Sequence, residues 1–296
     1  MLISQVGEFA LIKRFRKAIR TDASVIVGSG DDCAVLAHDK KHYQLFTCDM
    51  LVEGVDFKSC EDPYLIGRKA IAVSVSDIAS CGGLPRHAVI SLGMPKNTPL
   101  KFIDTLFKGM MSVARKYKIN IVGGDLSRAQ SIVIDVSMLG LAEKKNLLLR
   151  SRAKKGDIIF VSGALGGSIR GKHLKFIPRL KEAQFLVRNF KVNSMIDVSD
   201  GLAQDLNHIL EESKVGAVIY EKSVPLSKDA LNLDEALYMG EDFELLFTVP
   251  PKEAKSLRQH RNFRPIGEIL DKSLGLSLMD KNGRARKLAL KGFRHF

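Results

Sequence analysis

Val25-Ile26-Val27-Gly28-Ser29-Gly30-Asp31-Asp32-Cys33 opens as an apolar run, breaks at two glycines and ends in adjacent carboxylates. The same progression, from apolar residues through Gly or Ser to an acid, recurs at Ser76-Asp77, Gly123-Gly124-Asp125, Asp197-Val198-Ser199-Asp200 and Gly240-Glu241-Asp242. Glycine lets the backbone turn sharply and lets a ligand approach closely. A carboxylate at such a turn is a hard oxygen ligand. Two of them about 4 Å apart repel by roughly 4 kcal/mol at an effective dielectric of about 20. A fold that gathers several of these turns needs protons or divalent cations, and magnesium takes oxygen ligands while bridging them to phosphates. The pattern predicts a magnesium-dependent phosphoryl-transfer enzyme, provided the turns converge in space.

Outward from that stretch, Gly7 to Ala18 has the spacing of an amphipathic helix, with Phe9, Leu11, Ile12, Phe15 and Ile19 on its apolar side. Tyr43 to Cys48 reads as a strand running into Thr47-Cys48-Asp49, and strand alternation puts Thr47 and Asp49 on one face. Pro63 opens a helix that carries Ser76-Asp77 and stops near Gly82-Gly83. His87 to Leu92 is a strand, Pro99 to Lys118 is the clearest helix, and Ser131 to Leu141 alternates as a strand. In the second half, strands are predicted at Ile158 to Val161, Met195-Ile196 and Phe243 to Val249, with a helix carrying Leu202, Leu206, Ile209 and Leu210. The halves share a rhythm of strand, acidic turn and helix but no convincing repeat. The fold class is α/β, or α+β, with domains expected at residues 1–142 and 143–296.

A chain of 296 residues with 45% hydrophobic content supports a large core. No apolar stretch is long enough to span a bilayer and no early run resembles a signal peptide. Cys33, Cys48, Cys60 and Cys81 lack C-x-x-C or zinc spacing and fit reduced thiols in a cytoplasmic protein. The net charge of +13 is dispersed, Trp is absent, and no basic-aromatic interleaving suggests nucleic acid. A polyanionic small molecule would benefit from the positive field.

Gly28-x-Gly30 half-resembles a dinucleotide fingerprint, but Cys33 stands where the third glycine belongs and two aspartates would repel a pyrophosphate. Gly166-Gly-Ser-Ile-Arg-Gly171-Lys172-His173 is a near-miss for a P-loop, ending in His rather than Ser or Thr. Neither is taken as a site. A lone aspartate after a strand is commonly a turn residue or helix cap. Number and repeated context carry the argument, not any one residue.

Taken together, Gly7-Glu8-Phe9, Gly30-Asp31-Asp32-Cys33-Ala34, Thr47-Cys48-Asp49 with Val52-Glu53-Gly54-Val55-Asp56-Phe57, Ser76-Asp77-Ile78-Ala79, Gly123-Gly124-Asp125, Arg150-Ser151, Asp197-Val198-Ser199-Asp200-Gly201-Leu202, Gly240-Glu241-Asp242-Phe243-Glu244-Leu245 and the terminal Lys291-Gly292-Phe293-Arg294-His295-Phe296 resemble the thiamine-monophosphate kinases. These belong to a superfamily that includes aminoimidazole ribonucleotide synthetase. The resemblance implies the two-domain fold of that synthetase and an ATP-dependent conversion of thiamine monophosphate to thiamine diphosphate. It also implies a homodimer built through the N-terminal sheets, with ATP near the interface. By position, it implies Asp32, Thr47, Cys48, Asp49, Asp77, Asp125, Asp197 and Asp200 as magnesium ligands. Gly124, Asp125, Arg150 and Ser199 fall at nucleotide positions, and Asp56, Glu241 and Phe293 on the substrate side.

The chain departs from the family pattern at Asp56, where histidine is usual, and in a shortened segment between Gly171 and Lys175. A phosphate acceptor is already largely ionised near neutral pH, so direct transfer needs no general base. The rival readings are a relative of the superfamily acting on another substrate and a nucleotide-binding regulator without catalysis.

Overall fold

The computed structural model describes residues 2–293, so Met1 and the Arg294-His295-Phe296 end of the terminal motif lie outside the described residues. Val25–Val27 (β1), Ala34–Ala37 (β2), His42–Val52 (β3), Leu84–Met94 (β4), Asn120–Arg128 (β5) and Val133–Glu143 (β6) form one sheet in the order β1-β2-β3-β6-β4-β5. β3 and β6 pair antiparallel from His42↔Glu143 to Val52↔Val133, while β4 and β5 run parallel. Alternation divides each central strand between two faces. Leu45, Thr47 and Leu51 of β3 and Ile134, Val136 and Met138 of β6 are buried. Phe46, Met50 and Val89 point outward and are exposed.

Two helices, Pro63–Ser80 and Leu100–Tyr117, cover the inner face. The first starts on Asp62, whose side chain accepts from Tyr64 N, with Pro63 in the first turn. The two helices meet at glycines: a Cβ on Gly67 would sit 2.0 Å from Leu106 O, and one on Gly109 2.0 Å from Tyr64 O. Such an approach leaves no room for a side chain. The Pro63–Ser80 helix buries 13 of its 18 residues. A helix apolar on nearly all sides belongs inside a protein, and this one lies between the β3–β6 sheet on one side and the strand Ser194–Asp197 with the helix Leu180–Asn189 on the other.

The second sheet is built from Ile158–Val161 (β7), Ser194–Asp197 (β8), Gly216–Tyr220 (β9), Leu245–Val249 (β10), Arg264–Leu270 (β11), Leu276–Met279 (β12) and Ala285–Lys287 (β13), ordered β13-β12-β9-β11-β7-β10-β8. The mixed α/β architecture in two sheet-centred halves agrees with the expected fold class. One apolar core runs from the first sheet into Phe160, Met195 and Phe247 of the second. Among the described residues no helix is long and apolar enough to cross a membrane.

Four local expectations change. Ser76-Asp77 lies within the helix Pro63–Ser80 and Gly123-Gly124-Asp125 inside strand β5, neither at a turn, because long-range pairing and helix packing continue those elements past the acids. The helix Glu8–Ala18 buries no residue, and Phe15 and Ile19, expected on its packed side, are exposed. Phe243 precedes its strand rather than starting it: Glu241 and Phe243 have φ of 64° and 49°, and β10 begins at Leu245.

Candidate active site

The inner helix Pro63–Ser80 presents hydroxyls to carboxylates from three other elements. Ser74 Oγ donates to Asp49 Oδ2 at 2.6 Å, Ser76 Oγ to Asp197 Oδ2 at 2.5 Å, and Ser80 Oγ to Asp32. Its own Asp77 accepts from Thr47 Oγ1 of β3. Thr47 and Asp49 therefore share the face of β3 that looks at the helix, Asp197 arrives at the end of β8, and Asp32 on the turn after β1. The positive φ of 126° at Gly30 makes that turn. Arg150 pairs with the acids of the Gly30 turn. Its Nε donates to Asp32 Oδ1 at 2.9 Å, its Nη2 donates to the same oxygen, and its backbone N–H donates to Asp31 Oδ2 at 3.0 Å.

This arrangement holds more negative charge than it neutralises. Burial pushes the Asp197 carboxyl up to about 8, with Asp32 adding to the rise. Burial lifts Asp49 to about 6, helped by Asp135 and Asp32, and Asp77 well above the usual range, helped by Asp49 and Asp197. Asp31 rises to about 7 by burial and by Asp32. Burial disfavours the Arg150 cation, yet Asp32 outweighs that and its pKa is raised. Carboxyls raised to neutral pH or above, as Asp77 and Asp197 are, hold protons there unless another cation replaces them. The donor set is all oxygen, four carboxylates and one hydroxyl, which suits magnesium. The residues present fit that ion.

Cys48 does not join them. Alternation turns its side chain to the outer face, where Sγ donates to Asp135 Oδ2 at 3.2 Å. Asp125 also lies elsewhere within the chain. It pairs with Ser91 of β4, which pairs with Asp135 of β6, opposite Met50 of β3. Three strand spacings put it about 14 Å from β3. Gly124 and Asp125 instead border an apolar cavity of about 370 Å³ beside Ile103, Phe107 and Ile121.

Ser199 and Asp200 follow β8 and stand between two further cavities. One of about 440 Å³ reaches Asp49, Asp56, Glu241 and Phe293. The other, of about 370 Å³, reaches Asp31, Arg150 and His208. Asp56 Oδ2 accepts from Val52 N at 2.8 Å, and Phe293 N donates to Asp200 O at 3.0 Å. Burial raises the Glu241 carboxyl, but His173 and Lys69 outweigh it and hold it below its usual range. The 440 Å³ cavity thus sets several carboxylates around Val55, Ile169 and Tyr238, a lining suited to an aromatic cation.

The near-miss P-loop proves structural: Gly166 N–H donates to both oxygens of buried Asp242 at 3.1 and 2.9 Å, and Ser168 Oγ also donates to Asp242. Sequence reasoning did not place Ser74, Ser80, Lys69 or Asp205 near the site, and took Ser76 only as part of the Ser76-Asp77 pattern. Buried Asp205 accepts from the Asp200 and Gly201 amides. A signal existed for two of the serines, since Ser74, Asp77 and Ser80 recur every three residues along one helix face.

The AIR synthase related protein family matches twice, its N-terminal domain over residues 30–142 and its C-terminal domain over residues 134–278. The chain is 36% identical to the thiamine-monophosphate kinase of Buchnera aphidicola subsp. Schizaphis graminum over 99% of both chains. It is 34% identical to that of Bacillus subtilis, covering 98% of this chain and 100% of the relative. A solved structure described as AaThiL complexed with AMPPCP and TMP superposes with a TM-score of 0.88 at 30% identity, covering 100% of this chain and 99% of that one.

Proposed function

The chain belongs to the thiamine-monophosphate kinase family of AIR synthase related proteins, and from that premise we propose that it transfers the γ-phosphoryl group of ATP to the phosphate of thiamine monophosphate, giving thiamine diphosphate and ADP. The observation that carries the reading is the convergence of half-buried Asp32, Asp49 and Asp77 and buried Asp197 on one helix, with Asp49 also bordering a cavity lined for an aromatic cation. Both reactants are anions, so the protein's task is positioning and charge neutralisation.

Asp32, Thr47, Asp49, Asp77 and Asp197 are assigned to magnesium, with Asp200 at the edge of the same group. Bound there, the ions would neutralise charge on the donor and acceptor phosphates. The chain's own residues do the rest. Arg150, held by its fork on Asp32, presents a fixed guanidinium for the nucleotide phosphates. Ser199 faces both cavities where the two substrates must meet. Glu241 and Asp56 supply negative charge opposite the thiazolium, and Phe293 supplies an aromatic wall. Transfer is in line, from the terminal phosphate oxygen of the acceptor, and uses no covalent enzyme intermediate or general base.

Gly124 and Asp125 are assigned to the nucleotide, with the adjoining apolar cavity for its nucleoside. We assign residues 1–142 to nucleotide, metal and dimer contacts, and residues 143–296 to the remaining nucleotide and substrate contacts. A homodimer is supported by the exposed Phe46, Met50 and Val89 on the outer face of the first sheet. Cytoplasmic residence is supported by the free thiols of Cys33, Cys48, Cys60 and Cys81. A coupled ADP-release assay with thiamine monophosphate, ATP and magnesium tests the reading. Turnover that needs all three supports it; ATP binding without turnover would favour a regulator instead.

A further inference from the structure

Lys69 is wholly buried in the middle of the Pro63–Ser80 helix, a place where an ammonium group survives only with strong partners. Its Nζ donates to the backbone oxygen of Asp56 at 2.8 Å and to Glu241 Oε1. Asp56 belongs to the first sheet's half and Glu241 to the second's, and both face the cavity assigned to thiamine monophosphate. Lys69 itself does not line that cavity. The other Glu241 oxygen, Oε2, lies 3.2 Å from Nδ1 of buried His173, close but without the alignment of a full hydrogen bond. Nε2 of the same ring stands 3.5 Å from Glu61 Oε1.

The backbone at Glu241 is strained, since φ values of 64° at Glu241 and 49° at Phe243 are unusual for residues with side chains. Such strain persists only where the surroundings over-determine it. Here Glu241 N donates to Ser199 O at 2.7 Å, and the Phe243 ring stacks on Phe176 at 4.0 Å, just past the short helix Lys172–Lys175 that carries His173. The segment is bent to aim one carboxylate into the cavity. Its neighbours Asp242 and Glu244 turn away, toward Gly166 and Arg179.

We propose that Lys69 and His173 are positioning residues for the acceptor substrate, holding the two oxygens of Glu241 while Lys69 ties the Asp56 turn to it, so that one buried ammonium sets the spacing of the cavity's two walls. The inference rests on the kinase reading above. Disturbing the clamp should weaken binding of thiamine monophosphate and leave the nucleotide side and the transfer step nearly untouched, because neither residue reaches Asp32, Asp49, Asp77 or Arg150.

The test compares steady-state kinetics of wild type, Lys69→Met, His173→Leu, His173→Gln, Glu241→Gln and the double variant Lys69→Met/Glu241→Gln, with thermal melts as a check of folding. Lys69→Met should raise KM for thiamine monophosphate about tenfold or more, with kcat and the KM for ATP within about threefold. His173→Leu should shift the same constant in the same direction, and His173→Gln, which keeps a donor, should recover part of it. In the double variant Lys69→Met should add clearly less than its single-variant factor to the Glu241→Gln effect, since it acts in part through that carboxylate and in part through the Asp56 turn. An unchanged KM for thiamine monophosphate in Lys69→Met and His173→Leu, a loss confined to kcat, or full additivity in the double variant would overturn the proposal. Should Lys69→Met fail to fold, the His173 pair decides by the same criteria. Wild type that turns over thiamine monophosphate alongside unaffected variants rejects this inference alone. Wild type without turnover rejects the kinase reading and this inference with it.

Discussion

Replacing Asp197 with asparagine should make the magnesium-free protein more stable and the enzyme inactive. The carboxyl is 2% exposed and its pKa is raised to about 8, first by burial and then by Asp32. Unfolded, it would titrate near its ordinary 3.8. An acid whose folded pKa is raised binds more protons in the native state, so its contribution to stability falls as pH rises between the two values. At about 1.4 kcal/mol per pH unit, burying this group at pH 7 costs on the order of 4 kcal/mol. Asparagine resembles the protonated form and can still accept from Ser76 Oγ. Allowing about half for relaxation and for charges shared with Asp32 and Asp49, the variant gains roughly 2 kcal/mol, or about 4–8 °C in Tm. Scanning calorimetry in EDTA from pH 4 to pH 8 measures this. Wild type should lose stability steeply over that range and the variant less so. Adding magnesium should raise the wild-type Tm and leave the variant nearly still, while its turnover falls at least a hundredfold. A variant less stable than wild type in EDTA at pH 7 would refute the idea that these acids are crowded for a cation.

Arg150→Met removes the guanidinium that pairs with the Asp32 carboxylate and should destabilise the magnesium-free protein by about 3–5 kcal/mol, read from urea midpoints, with much weaker nucleotide binding by calorimetry. Gly109→Ala places a Cβ 2.0 Å from Tyr64 O and should part the two inner helices, at a cost of about 1–3 kcal/mol in the same unfolding experiment. Met50→Asp puts a charge on the exposed outer face of the first sheet and should shift the protein from dimer to monomer in sedimentation velocity; an unchanged dimer would place the interface elsewhere.

Much of the site was legible because it obeys local rules. Apolar runs ending in acids became β1, β3 and β8 with Asp32, Asp49 and Asp197 at or near their ends. Strand alternation paired Thr47 with Asp49, and the same rule sends Cys48 to the opposite face, so placing Cys48 among the ligands conflicts with the logic that selected its neighbours. Asp125 was harder. Its distance from the other acids depends on β6 inserting between β3 and β4, a long-range pairing that no local pattern announces. Lys69 reads on paper as an ordinary surface lysine of a helix, and only the burial of that helix on both sides makes it internal. The strained Glu241–Phe243 segment defeated the strand prediction for a related reason, since its shape is imposed by partners such as Ser199 and Phe176, distant in sequence.

The central claim is that acids dispersed along the chain, on a turn (Asp32), a strand (Asp49), a helix (Asp77) and a strand end (Asp197), converge to hold divalent cations against two phosphates. Calorimetric titration of magnesium into protein saturated with a non-hydrolysable ATP analogue, for wild type and Asp77→Asn, tests it most directly. The account predicts saturable magnesium binding in wild type and at least tenfold weaker binding in the variant, both folded by circular dichroism. Equal magnesium affinity in the two proteins would contradict it.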